Sequence, residues 1–308
     1  MASSPNSTSS RASATATPKT AQHALSVDVE EWFQVWAYAS VIDRSAWDSY
    51  PSRVEETTRR VFDLLERRDA KATFFVLGWI AERCPALIKE MAARGHEVAS
   101  HGYDHTKVFE QSPKQFLEDV RKTKGLLEDL TGIAVSGYRA AGFSIDQRTP
   151  FAYEGLAKAG YVYSSSSHPI SHDHYGDPTA PIGVHKVTDS LVEIPVAVVE
   201  NRARRATCAG GGWFRAMPYA NSRRRWQRLT GEGRRGVFYF HPWEIDPDQP
   251  RVKNAPLKST LRHRLFLGQM EGKLERLFTE FSWGRIDHVF ADVIAARREE
   301  RPCSPVRL

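Results

Sequence analysis

The sequence predicts a parallel α/β fold, a distorted and incompletely closed (β/α)7-type barrel with irregular C-terminal insertions and helices. Three observations predict it. Seven short β-rich apolar runs alternate mostly with amphipathic helical stretches, the pattern of a parallel sheet with its crossovers. No eighth run is found, which disfavours a regular closed barrel. Polar residues stand at the ends of separate runs: Asp28 with Glu30, His101 with His105, Arg139, Ser164 and His241. In a β/α barrel all those C-terminal ends open on one face, whereas in a doubly wound open sheet they would be spread along an edge.

Each element follows from its residues. Ala24 to Glu30 reads as a short buried strand ending in acids, with Trp32, Phe33, Trp36 and Tyr38 behind it. Ser52 and Glu55 have capping-box spacing ahead of an amphipathic helix through Val54, Val61, Phe62, Leu64 and Leu65. Ala72 to Leu77 is a strand, and Pro85 to Arg94 a helix that stops at Gly95. The strand His96 to Ser100 delivers His101. Ser112, Pro113 and Gln115 start another helix, whose apolar face runs through Phe116, Val120 and Leu127 to Gly132. Ile133 to Arg139 is a strand, Pro150 to Ala159 a helix, and Tyr161 to Tyr163 a strand that enters a serine cluster, Ser164 to Ser167. Leu191 to Pro195 and Gly236 to His241 are the last two strands. The segments 168–186 and 199–236 read as irregular insertions in which only Asn221 to Leu229 is helical, and helices at Arg264 to Phe281 and His288 to Arg298 finish the chain.

At 308 residues with 41% hydrophobic content the chain can bury a substantial core. Its net charge of +6 comes from short groups such as Arg223 to Arg225 and Arg234 with Arg235, which read as solvated helix faces. No basic track interleaved with stacking aromatics is present, so nucleic acid is not the expected partner. Cys84, Cys208 and Cys303 form neither an even disulfide set nor a C-x-x-C knuckle, which favours a reducing compartment. No apolar run reaches membrane-spanning length, and the Ser/Thr/Ala-rich start lacks the apolar core of a secretory signal. The expected organisation is a tail at 1–21, one domain over 22–300 that includes a C-terminal extension, and a tail at 301–308, in a cytoplasmic protein. No oligomeric state is read from the sequence.

The chemistry centres on Ser100-His101-Gly102-Tyr103-Asp104-His105, where two imidazoles four residues apart can converge on one ion. One carboxylate added to that pair leaves a divalent cation, preferably zinc, an open position for water, as in catalytic rather than structural zinc sites. Glu30 suits the ligand, Asp28 the base that takes a proton from the water, and His241 the acid that protonates a leaving group. Trp32, Trp36, Tyr138, Trp213 and Trp243 could form an aromatic stacking rim for a substrate. The Gly210-Gly211-Gly212 run has no phosphate-loop context and reads as a tight turn.

The order of these motifs resembles the polysaccharide deacetylase superfamily, the NodB-homology or family-four carbohydrate esterases. The matches are Ser26-Val27-Asp28-Val29-Glu30-Glu31-Trp32, Ser100 to His105, Gly137-Tyr138-Arg139-Ala140-Ala141-Gly142-Phe143, and Phe238-Tyr239-Phe240-His241-Pro242-Trp243-Glu244. The D-V-E-E-W-F opening, Gly210 to Arg215 and the H-P-W-E ending resemble a branch associated with exopolysaccharide gene clusters. The resemblance implies zinc-dependent removal of N-acetyl groups from an N-acetylated saccharide, such as an exopolysaccharide precursor or a chitooligosaccharide. A lipid-linked substrate would place the protein at the periphery of the inner membrane.

By position the resemblance makes Asp28 the base, His101 and His105 the metal histidines, Arg139 the residue that orients the base, and His241 the acid. The backbone N–H that stabilises the oxyanion falls near Gly142. Glu30 takes the metal-acid position if D-x-E replaces the family's adjacent Asp-Asp pair, with Glu31 as its rival. Ser164 stands where an aspartate that charges the catalytic histidine is expected, so acid catalysis is weakened or its partner is relocated, for instance to Asp173. Two other readings stay open: an allantoinase-type hydrolase of cyclic amides, and a catalytically silent saccharide-binding relative.

Overall fold

The strand that carries Asp28, β1 (His23–Val29), is buried along its whole length because both of its edges are paired and both of its faces are covered. The computed structural model describes residues 22–172, 176–201 and 204–299. The two expected tails, Asp173 and Cys303 lie outside the described residues.

The remaining strands are β2 (Thr73–Val76), β3 (Glu97–Ser100), β4 (Gly137–Tyr138), β5 (Tyr163–Ser164), β6 (His185–Thr188), β7 (Leu191–Glu193), β8 (Val198–Asn201), β9 (Arg204–Thr207), β10 (Val237–Phe240) and β11 (Trp283–Gly284). The main sheet runs β10-β1-β2-β3-β4-β5-β7-β6, with β11 beside the start of β1. Its path from β10 to β7 is parallel throughout, so seven strands aim their C-terminal ends at one face. The outer strand β6 is antiparallel.

The barrel stays open because the edge of β7 is taken by β6 and not by β10. Beyond β7 the chain crosses the gap: Ala197 N donates to the Val237 carbonyl of β10 at 3.0 Å, and the antiparallel β8-β9 hairpin follows. Strand β2, Thr-Phe-Phe-Val, is buried on both faces, which explains its unbroken apolar run. Burying a ring such as Phe74 or Phe75 contributes about 1.5–3 kcal/mol.

Helices cover the outside: α1 (Val54–Glu66), α2 (Gly78–Arg83), α3 (Pro85–Ala93), α4 (Pro113–Thr131) and α5 (Ala152–Ala159) in the first half. The second half adds α6 (Gly211–Ala216), α7 (Tyr219–Gly231), α8 (Leu257–Arg264), α9 (Leu267–Glu280), α10 (Ile286–Val289) and α11 (Ala291–Glu299). The expected capping box forms at α4, where Ser112 and Gln115 cap each other's backbone and Gly132 closes the helix. At α1 it does not form, because Arg53 is the N-cap and the carboxylate of Glu31 accepts from the N–H groups of Arg53 and Val54.

The insertions are more ordered than expected. The segment 168–186 ends in β6, and 199–236 holds most of the β8-β9 hairpin together with α6 and α7. Strands β6 and β9 are short and half-exposed, so they lack the apolar runs that betray buried strands. Arg223 and Arg228 of α7 are solvated as expected, on Glu280 and Glu232, but Arg225 is half-buried and donates to the Thr207 carbonyl. Cys84 and Cys208 are buried free thiols. Among the described residues no helix is long and apolar enough to cross a membrane.

Besides the main core, a second aromatic cluster of Trp32, Phe33, Tyr38, Trp47, Trp243 and Leu267 joins the segment after β1 to the C-terminal part.

Candidate active site

Glu30 follows the last residue of β1, and His101 the last residue of β3. One oxygen, Oε1 of Glu30, lies 3.0 Å from Nε2 of both His101 and His105. The loop that carries the histidines is held down: Gly78 N and Trp79 N at the start of α2 donate to the carbonyls of Gly102 and Tyr103 at 2.9 and 2.8 Å. His105 has φ +60°, a left-handed conformation that costs a non-glycine residue about 1–2 kcal/mol and turns its ring toward Glu30.

The protons show what this trio can hold. Nδ1 of His101 lies 2.8 Å from the carbonyl of Arg139, so the N–H sits there and Nε2 of the neutral ring has only a lone pair. That lone pair faces a carboxylate oxygen. Two acceptors at 3.0 Å need positive charge, either a proton that makes imidazolium or a metal ion. The three ligand atoms lie within 4.8 Å of one another, and one carboxylate with two imidazoles is a donor set suited to a divalent ion with open positions. Burial opposes the charge on Glu30, but His105, His241 and the close contacts with His101 and His105 hold its carboxyl well below the ordinary range.

Asp28 sits beside this trio, two residues earlier on β1. Its Oδ1 accepts from Nη1 of Arg139 at 2.7 Å, and both side chains are buried. Arg139 is locked by the rest of its fork: Nη1 donates to Ser26 Oγ at 2.8 Å, while Nε and Nη2 donate to the carbonyl and Oγ of Ser165, each at 2.9 Å. Its guanidinium also lies 4.1 Å from the ring centre of Phe75. Such a fixed arginine leaves the second oxygen of Asp28 turned toward the cleft, 4.0 Å from Nε2 of His241.

His241 follows β10 directly, and Nε2 lies 3.8 Å from Glu30 Oε1. Its other nitrogen, Nδ1, lies 3.2 Å from Oε2 of Glu244, which also accepts the His241 backbone N–H at 3.0 Å. Behind Glu244 stands Arg215, whose Nε donates to Oε1 at 3.0 Å and whose Nη1 donates to the carbonyls of His263 and Leu265. Burial alone would lower the pKa of His241, but the carboxylates of Glu30, Glu244 and Asp28 outweigh it and raise it to about 9. Burial likewise opposes ionisation of Glu244, yet Arg215 and His241 keep its carboxyl below the ordinary range.

Gly211 makes room for this arrangement, since a Cβ there would lie 1.7 Å from Oε2 of Glu244. The triple glycine is therefore not the expected tight turn but the start of α6, where Gly211 seats a buried carboxylate. Glu244 and Arg215 were not named as site residues from sequence, although both lie inside the H-P-W-E and G-G-G-W-F-R motifs. The signal was a carboxylate three residues after a histidine, which a 3-10 turn over Pro242–Ile245 brings back onto the ring.

Other expectations divide. Glu31 is turned away from the histidines and spends its carboxylate on the start of α1 and on Ser52, leaving Glu30 beside the imidazoles. Ser164 Oγ donates to Ser166 Oγ at 2.8 Å, and the Ser166 hydroxyl accepts from Ala140 N at 2.9 Å, so the serine cluster braces the arginine loop. Trp32, Tyr138 and Trp243 do not form a rim. Trp32 packs on Phe33 and Tyr50 with its indole N–H on the Pro51 carbonyl, Tyr138 packs on Phe116 and Tyr161, and Trp243 is stacked between His241 and His263. Their rings are too apolar to leave uncovered where neighbouring aromatics can reach them. Trp36 and Trp213 are the exposed pair, at 44% and 40%. Gly142 lies in the turn after Arg139 with φ +58°, a conformation that glycine adopts without strain.

Comparisons with known proteins agree with this architecture. Residues 45–164 match the polysaccharide deacetylase family, and residues 165–291 match a domain of unknown function, DUF3473. Over 86 residues the chain is 38% identical to the peptidoglycan-N-acetylglucosamine deacetylase PgdA of Listeria monocytogenes, covering 28% of this chain and 18% of that protein. A peptidoglycan-N-acetylglucosamine deacetylase of Bacillus cereus is 34% identical over 79 residues, 26% of this chain and 29% of its own. The chain thus matches less than a third of the length of either relative.

The crystal structure of a "putative polysaccharide deacetylase" from Mycobacterium smegmatis shares the fold with a TM-score of 0.58 at 19% identity, over 97% of this chain and 99% of that one. The sheet ignores the border between the two matched segments. Strand β10, His241, Glu244 and Arg215 come from the DUF3473 segment, while Asp28 and Glu30 precede both segments. Residues 45–164 of the chain are thus a polysaccharide deacetylase segment of the NodB-homology type, and residues 165–291 are a DUF3473 segment.

Proposed function

We propose that the protein hydrolyses N-acetyl groups from an N-acetylated saccharide, with residues 22–300 acting as one deacetylase unit. The observation that carries this reading is the single oxygen of Glu30 equidistant from two imidazoles, flanked by Asp28 fixed on Arg139 and His241 fixed on Glu244. Glu30, His101 and His105 would hold a divalent ion, zinc by preference. When bound, such an ion supplies Lewis acidity that polarises the amide carbonyl and acidifies the attacking water.

The chain's own residues then have distinct tasks. Asp28, oriented by Arg139, takes a proton from the water as its oxygen adds to the acetamide carbon. The oxyanion is met by backbone N–H near Gly142. His241, protonated and held by Glu244, gives its proton to the amide nitrogen as the C–N bond breaks, leaving a free amine and acetate. In this reading Glu244 replaces the aspartate absent at Ser164, which favours a working acid over a silent relative.

The names of the relatives point to N-acetylglucosamine units, and a lipid-linked exopolysaccharide precursor in the cytoplasm is the proposed natural form. The test is acetate release from N-acetylglucosamine oligosaccharides with zinc supplied. Turnover that falls with Asp28→Asn supports the assignment. Sugar binding without acetate release, unchanged by Asp28→Asn, contradicts it.

A further inference from the structure

We propose that α8 docks the protein on an anionic phospholipid bilayer, with Leu257, Leu261 and Phe266 entering the head-group boundary and the surrounding lysines and arginines meeting lipid phosphates.

Helix α8 is inside out. On an ordinary surface helix the leucines face the core, but here the buried side chain is His263, while Leu257 and Leu261 are 84% and 63% exposed. They are four residues apart and share one helix face. Phe266, at the junction to α9, is 45% exposed and holds a left-handed φ of +56°. Isolated exposed leucines need no explanation, but three large apolar side chains within ten residues do.

Charge selects the occupant. From Gln249 to Met270 the chain has no aspartate or glutamate, yet it carries Arg251, Lys253, Lys258, Arg262 and Arg264. An acid-free basic segment that presents leucines is the composition of an interfacial helix, which adds apolar insertion to attraction for anionic lipid. A second copy of the chain on a two-fold axis would set this basic surface against itself. A nucleic acid would meet the charge but leave the leucines in water.

Placement links the surface to the cleft. The ring of His263 stacks on Trp243 at 4.3 Å and 16°, Trp243 stacks on His241 at 5.2 Å and 23°, and the His263 carbonyl accepts from Arg215. A bilayer under α8 would therefore lie beside the catalytic histidine. This inference goes beyond the deacetylase reading and does not rest on it, because it is tested by binding alone.

The experiment is co-sedimentation of the full chain with vesicles of phosphatidylcholine alone and of an equimolar mixture with phosphatidylglycerol. Binding is expected only to the mixture and weakens as salt rises. The double variant Leu257→Ser with Leu261→Ser is expected to bind about tenfold more weakly or worse, and Lys253→Glu with Lys258→Glu likewise. Acetate release from soluble oligosaccharides stays unchanged in both. Equal binding to the two vesicle types overturns the proposal. So does mixture binding indifferent to the leucines, self-association that the leucine variant abolishes without any vesicle binding, or retention by nucleic acid but not by lipid.

Discussion

Two neighbouring glycines separate the Glu244 seat from a simple turn. In Gly211→Ala the added methyl would stand 1.7 Å from Oε2 of Glu244, where ordinary contact begins at 3.4 Å, so the carboxylate must retreat by roughly 1.7 Å. A displacement of that size breaks at least one of the contacts to His241 Nδ1 at 3.2 Å and Arg215 Nε at 3.0 Å. Removing one partner of a buried ion pair costs about 3–5 kcal/mol. Arg215 keeps its bonds to the carbonyls of His263 and Leu265, so roughly 2–4 kcal/mol is expected here. For a chain of this size that corresponds to a fall in Tm on the order of 3–6 °C.

Loss of an oriented general acid should also lower kcat by about 10²–10³. Gly211 does not adopt a positive φ, so the loss would not come from backbone strain. Gly212→Ala is the control, because nothing lies within 4 Å of its added Cβ, and both Tm and kcat should match the unmodified protein. Thermal melts and acetate-release kinetics on the two variants decide the matter. An active, stable Gly211→Ala, or equal losses in both variants, would refute the reasoning.

Three further outcomes are expected. Glu30→Gln should abolish both zinc retention and turnover, whereas Glu31→Gln, which weakens the buried cap of α1, should lower stability by about 1–2 kcal/mol and leave the zinc content intact, as measured by metal analysis beside thermal melts. Arg139→Lys cannot reproduce the fork that binds Asp28, Ser26 and Ser165 together, so kcat should fall about 10²-fold while the chain still folds, as read by kinetics and circular dichroism. Burial, then Asp287, pushes the Glu97 carboxyl up from 4.5 to about 8. The folded chain therefore holds a proton that the unfolded chain has lost, and the associated stability is full below pH 4.5 and lost as pH rises toward 8. Tm should decline across that window and decline less steeply in Glu97→Gln; identical slopes would count against the assignment.

The parallel barrel was legible because strands such as β2 and β10 are buried on both faces and so appear as apolar runs, and because Asp28, Glu30, His101, Arg139 and His241 each stand just past or near the end of a strand. The pairing of Glu30 with the two histidines followed from the D-x-E and H-x-x-x-H spacings once both strands were parallel neighbours of β2. What could not be read was contact between distant loops. The cap that Glu31 supplies to α1 competes with the local Ser52 and Glu55 signal, and no spacing reports that Ser165 would hold Arg139. The aromatic rim failed for a related reason: composition identifies a tryptophan but not which side of it is covered. The inverted α8 also escaped, since leucines four residues apart ordinarily mark a buried face.

The most direct test of the central claim is a crystal structure of the zinc-loaded protein with anomalous scattering measured at the zinc edge. One peak is expected at about 2.0–2.2 Å from a Glu30 carboxylate oxygen and from Nε2 of His101 and His105, with Asp28 and His241 on either side of its open face. A peak held by other residues, or zinc absent from this trio at saturating concentration, would contradict it.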